Sequence, residues 1–170
     1  KWTHMQRQGQ LGLRVLSFLM LDRTNLCMPI KRNESLTPLS REHHHGLLLC
    51  WKIRTGYRKH IEVSRIQAYA DWFYKNHLMA HFEVEEKYVF TVLGNEHELV
   101  KRALMEHRKL RKLFERVNDE EKNLGLIEEK LDAHIRFEER VLFNEIQDVA
   151  SPSELEEILA RHSAQTEIHP

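Results

Sequence analysis

Two ten-residue stretches of this chain repeat each other: HFEVEEKYVF at residues 81–90 and HIRFEERVLF at residues 134–143. Both follow the pattern His, apolar, two residues, Glu-Glu, two residues, apolar, Phe. The interval from the His to the first Glu is four residues, which in an α-helix places both side chains on one face, one turn apart. Apolar residues continue that face, with Leu78 and Tyr88 around the first pair and Leu131 and Val141 around the second. A carboxylate and an imidazole on an apolar stripe are costly to bury unpaired. A bound cation removes the cost by taking the carboxylate charge and the imidazole lone pair. The repeat therefore asks for two helices that bury their polar residues against each other, related by a pseudo-two-fold axis.

The rest of the chain supplies the partners for such helices. Six Gly and four Pro in 170 residues leave room for long uninterrupted helices, and no segment carries the alternation or Asn-Gly and Asp-Gly turns of a β-hairpin. Thr37-Pro38 starts helix one with Pro at its first turn. His43, Leu47, Cys50, Ile53 and Tyr57 then form one stripe. Ser64-x-x-Gln67 is a capping box for helix two, which Gly94 ends. Asn95-x-x-Glu98 begins helix three. The polar stretch Asn118–Gly125 is a loop, and helix four runs from about Leu126 to Asp148. Ser151 to Glu154 caps a short fifth helix ending near His162. The expected fold is all-α: an up-down-up-down four-helix bundle over residues 37–148. Its core seam is Ile66, Tyr69, Phe73, Leu104, Leu110, Phe114, Leu131, Ile135 and Leu142.

Twelve His are present, and histidine is the commonest metal-ligating side chain. Helices one and three each carry a Glu-His pair, Glu42-His43 and Glu106-His107. His107 shares its stripe with Val100, Leu104, Leu110 and Phe114 and faces inward; His43 matches it. The candidate metal ligands are thus His43, His81, Glu85, His107, His134 and Glu138. Four imidazoles and two carboxylates exceed a tetrahedral zinc site and fit two ions. Mixed ligation of this kind suits iron, with manganese or zinc as rivals. His44 competes with His43 and Glu139 with Glu138. His45, His60, His97, His162 and His169 are assigned to the surface, and Glu86 and Glu139, if not ligands, to outer or solvent-facing places. Set against the metal is a plainer alternative, an ion-paired network that holds none.

The order His, His-x-x-x-Glu, His, His-x-x-x-Glu, in SREHHHGLLL, HLMAHFEVEEKYVF, MEHRKL and HIRFEERVLF, resembles the hemerythrin or HHE cation-binding family over about residues 38–148. The resemblance implies a hemerythrin-like bundle around two iron ions, oxo- or hydroxo-bridged, whose small ligands are O₂, NO or peroxide. The function it implies is binding or sensing of those ligands. The alternative is a di-iron enzyme or iron-handling protein in peroxide or NO stress or in iron–sulfur cluster repair. In oxygen carriers of the family a further His lies four residues before the one matched by His107; here that residue is Ala103. The expectation is that this iron is open to solvent or a second exogenous group, with His77 as a substitute ligand, and that the centre is a sensing or reactive site rather than an oxygen store. The same carriers place the last carboxylate five residues after its His, which supports Glu139; the internal repeat supports Glu138.

Residues 1–36 are expected to be an N-terminal extension, of which 1–27 look unlike the rest. Their apolar run, Leu11–Leu21, is too short to span a membrane. Residues 149–170 form the C-terminal helix and tail. A formal net charge of zero argues against nucleic acid, and no polybasic membrane anchor is present. Two cysteines, Cys27 and Cys50, outside any C-x-x-C favour a reducing compartment and a cytoplasmic location.

Overall fold

The computed structural model describes residues 31–116 and 120–168; the reading of residues 1–27 falls outside them. They form five helices and, among the described residues, no strand. These are α1 (Thr37–Arg58), α2 (63–92), α3 (Glu98–Phe114), α4 (120–149) and α5 (Pro152–Ile168). The first four make the expected bundle, and α5 lies against it through Ile158, which is fully buried, and through Arg161, stacked over the Tyr88 ring. None of these helices is long and apolar enough to cross a membrane.

Helix limits differ from expectation where polar residues do other work. The packed chain begins ahead of Thr37: Leu36 is fully buried, and Arg32 donates to the Glu139 carboxylate. Helix α2 starts at Val63 without a side-chain cap, because Gln67 donates to Asp71 instead. Asn95 does not cap α3; the His97 ring nitrogen accepts from the Leu99 N–H. Helix α4 is described from Glu120, so residues 120–125 of the expected loop are helical. Leu124 is fully buried there, and the buried Asn123 donates to the carbonyl of Leu113 at the end of α3. Gly94 does end α2, at a φ of 82°, a conformation glycine adopts without strain. Ser151 and Glu154 form the reciprocal cap of α5, which runs on to Ile168.

Helices α2 and α4 are not α-helical throughout. Each contains a π-helical turn that opens on a conserved place in the internal repeat, Glu85–Val89 in α2 and Glu138–Leu142 in α4, and α2 has another at Tyr74–Leu78. A π turn takes one more residue per hydrogen-bonded ring than an α turn, so the inward stripe slips by one. Val89 and Leu142 are fully buried, while Val141 is 45% exposed and Tyr88 is only partly buried. The simple i, i+3 continuation through Tyr88 and Val141 is therefore displaced. Of the expected seam, Tyr69 and Leu104 sit at the margin, and the other seven residues are buried.

Candidate metal centre

The apolar core is divided into two clusters, one around Leu49, Phe73, Leu131 and Ile135 and one around Leu39, Phe90, Val100 and Phe143. His43, His81, Glu85, His107, His134 and Glu138 are all buried, none more than 5% exposed. They converge into two groups that share both carboxylates: His43, His81, Glu85 and Glu138, and His107, His134, Glu85 and Glu138. Within each group one ligand-type atom per residue lies within 4.8 Å of all the others.

The four imidazoles are oriented alike. Every Nε2 points inward: that of His43 lies 3.1 Å from Glu138 and 3.4 Å from Glu85, that of His81 3.2 Å from Glu85, that of His107 3.4 Å from Glu85, and that of His134 3.3 Å from Glu138. Every Nδ1 points outward to a further carboxylate. The pairs are His43 with Glu139 at 2.7 Å, His81 with Glu42 at 2.7 Å, His107 with Glu86 at 2.8 Å and His134 with Glu106 at 2.9 Å. An ionised carboxylate only accepts, so each Nδ1 carries the proton and each Nε2 is left to face the centre. This is the arrangement by which metal-binding histidines are fixed in tautomer and angle.

The outer carboxylates are themselves anchored. Arg32 donates to Glu139, Arg111 to Glu86 and Arg102 to Glu106, and His162 lies 3.0 Å from Glu42. Burial works against charge on all four, but the imidazole and guanidinium neighbours outweigh it and hold them below the usual carboxylate range, Glu42 down to about 2.

The inner residues form a strongly polarised set in the protein by itself. Burial opposes protonation of the imidazoles, yet the surrounding carboxylates raise His43 well above its ordinary value, His81 to about 9 and His107 to about 10. Burial likewise opposes charge on Glu85 and Glu138. For Glu138 the neighbouring Glu85 adds to that opposition, and the imidazoles still bring it down to about 2; His81, His107 and His43 likewise hold Glu85 well below the usual carboxylate range. Even so, seven inward atoms make no hydrogen bond of acceptable geometry: Nε2 of His43, His107 and His134, and all four oxygens of Glu85 and Glu138. So many unsatisfied polar atoms in one buried place require an explanation. Imidazole nitrogens and carboxylate oxygens are metal donors, and each of the two groups could hold a metal ion.

Other sequence candidates lie elsewhere. His44 and His77 are exposed and in neither group; His77 packs against Trp72 and Phe73. Glu139 is in neither group either and instead bonds His43. Ala103 is fully buried within the apolar cluster of Val100, Phe137 and Phe143. His162, assigned to the surface, is mostly buried beside Glu42. Cys50 is a buried thiol pushed up to about 12 by burial and by the Asp132 and Glu128 carboxylates, which keeps it protonated and unreactive. The outer carboxylates had one sequence signal: each stands next to an inner residue, at 42–43, 85–86, 106–107 and 138–139.

The family model of the hemerythrin HHE cation binding domain matches residues 35–146. The chain belongs to that family. The match covers all four bundle helices and both groups, so this member of the hemerythrin family is a cation-binding bundle whose clustered His and Glu residues can hold metal. Searches of curated proteins and of solved structures return no match.

Proposed function

We propose that this hemerythrin-family chain holds two non-haem iron ions and binds or senses O₂ or a related small ligand such as NO or peroxide. The ligands assigned are His43 and His81 for one ion and His107 and His134 for the other, with Glu85 and Glu138 shared by both. The observation that carries the assignment is the set of seven buried inward atoms without hydrogen bonds, lying beneath four imidazoles whose outer nitrogens are already committed to carboxylates. Nitrogen and carboxylate oxygen in equal share favour iron over a thiolate-preferring ion, with manganese and zinc as the competitors.

Bound iron would supply the redox and small-ligand chemistry. The chain's part is to orient and to exclude water. The outer Glu residues hold each imidazole in one tautomer and raise its basicity. Phe82 stacked on His107, with ring centroids 3.9 Å apart, and Phe143 on His43, at 5.2 Å, pack against the inner rings. With nine-tenths or more of every inner side chain buried, charge changes at the centre are felt through a low dielectric by the helices that carry the ligands.

Metal analysis with a visible spectrum tests this reading. Two irons per chain and a spectral change that reverses on removing O₂ or NO are expected. A chain that takes up no iron on anaerobic reconstitution, and whose melting is unchanged by chelation, would leave only the ion-paired network. Steady consumption of peroxide or O₂ would move the function to the enzymatic alternative.

A further inference from the structure

The internal repeat is broken in its outermost layer. Aligning Glu42-His43 with Glu106-His107 sets Arg102 against Pro38 and Arg111 against Leu47. Helix α3 thus anchors Glu106 and Glu86 with its own two arginines, whereas α1 has no donor at either place. Glu139 and Glu42 are held from outside the repeat, by Arg32 ahead of α1 and by His162 on α5. Three outer carboxylates therefore rest on guanidinium groups and one on an imidazole. That one, Glu42, is also the most exposed: 39% of its side chain, against 22–27% for Glu86, Glu106 and Glu139.

A pocket of about 340 Å³ opens beside this arm, between α1, α2 and α5. Pro38, Glu42, His45, His77, His81 and His162 are among its walls, and of the six inner residues only His81 lines it. The opposite flank is closed by stacked groups. Phe82 and Phe90 lie against the His107 ring, Arg111 lies over Phe82, and Arg102 lies 3.8 Å from the Phe137 ring centre.

We propose that this pocket is the port through which divalent metal ions reach the centre, with His45, His77 and Glu42 as passing donors at its mouth. The position flanked by His43 and His81 is then the one that fills and exchanges first. The proposal rests on the two-metal reading above. His77 lines the pocket with His45 and Glu42, and partial burial and His45, against the pull of Glu42, lower its proton affinity. Arg41 also lines the pocket and works against an incoming cation, so its removal has the opposite sign to removal of the imidazoles.

The test follows uptake of Fe(II) by the metal-depleted full chain under anaerobic conditions, recording both the initial rate and the final ions per chain. In His45→Ala/His77→Ala the rate should fall about tenfold, the scale on which a cleft concentrates an ion, with final content unchanged. Arg41→Gln should load faster. His44→Ala, exposed on the same helix but outside the pocket, should load at the wild-type rate. A double variant that loads as fast as wild type overturns the port, as does one slowed no more than His44→Ala. A fall in its final content also overturns it, since these residues would then be ligands themselves. Normal wild-type content with an unchanged variant rate defeats the port alone; a wild type that takes up no ion defeats the metal reading and the port together.

Discussion

The first half of the repeat, carried by α1 and α2, and the second, carried by α3 and α4, agree in the inner layer and part company in the outer one. Inside, His43, His81 and Glu85 correspond one for one with His107, His134 and Glu138, down to the π turn that opens on each Glu. Outside, the carboxylates behind His107 and His134 are anchored from α3, and those behind His43 and His81 borrow Arg32 and His162. Inner residues are tied to one another by distances near 3 Å, so none can change alone. An outer carboxylate needs only some cation, and the chain can deliver one from any direction.

The largest effects should come from residues shared by both halves. Glu138→Ala or Glu85→Ala removes an oxygen from each group and is expected to abolish binding of both ions, whereas His81→Ala and His134→Ala should each leave about one. A bound ion present at about a thousand times its dissociation constant stabilises a fold by about 4 kcal/mol. Melting of the Glu138 variant should accordingly match that of chelated wild type. Two full ions retained in His81→Ala would show that the halves are not built as described.

Acidity should separate the metal-free and loaded forms next. In the metal-free protein His81 and His107 are raised from 6.5 to about 9 and about 10, and His43 is also raised. A raised folded-state value stabilises fully below the unfolded value and is lost as pH climbs through the folded one. Metal-free stability should therefore decline from pH 6.5 to about 10. In the loaded form protons compete for the same nitrogens, so its metal-linked stability should grow with pH over the lower part of that range. Thermal melts of chelated and loaded protein should diverge; parallel curves would mean that the metal does not occupy the imidazole nitrogens.

Smaller again are the outer carboxylates. Loss of such a partner weakens metal binding about 10–100-fold. We expect Glu106→Gln, removed from an arginine-anchored and more buried place, near the upper end and Glu42→Gln near the lower. Competitive titration against a chelator measures both, and a larger effect at Glu42 would reverse the ranking of the two halves.

Which side chains turn inward was legible because helical spacing and apolar flanks act locally. His81 and Glu85, or His134 and Glu138, announce themselves within five residues. The layer around them was legible only as acidic neighbours of the inner residues, because its pairing is made between helices: nothing in the sequence near His81 shows that Glu42 will reach its Nδ1, or that His162 will meet Glu42 from beyond the repeat. The π turns were hidden for another reason. They alter hydrogen-bond register without a residue type to mark them, so Val89 and Leu142 replace Tyr88 and Val141 inside. The Asn118–Gly125 stretch misled because its Glu and Lys residues are polar and also good helix formers.

The smallest effect concerns how closely the halves approach. Gly46 lies one turn past His43, and a Cβ there would come within 2.7 Å of the Ile135 Cδ1 atom, next to His134. The matching residues of the other half are Leu110 and Phe82, both large and both in one core cluster, so of these two matching contacts it is the α1–α4 one that depends on a missing side chain. Gly46→Ala gains about 1 kcal/mol of helix propensity and loses about 1–3 kcal/mol to overpacking, a net cost on the order of 1 kcal/mol. The obstacle is a terminal methyl, so Ile135→Val should remove it. Adding that change to Gly46→Ala should recover most of the loss, although alone it costs about 0.5–1.5 kcal/mol. A double-mutant cycle by denaturant unfolding of the metal-free protein reads the coupling. Simple additivity, or a Gly46→Ala protein more stable than wild type, would show that α1 and α4 are not held at their closest approach beside the centre.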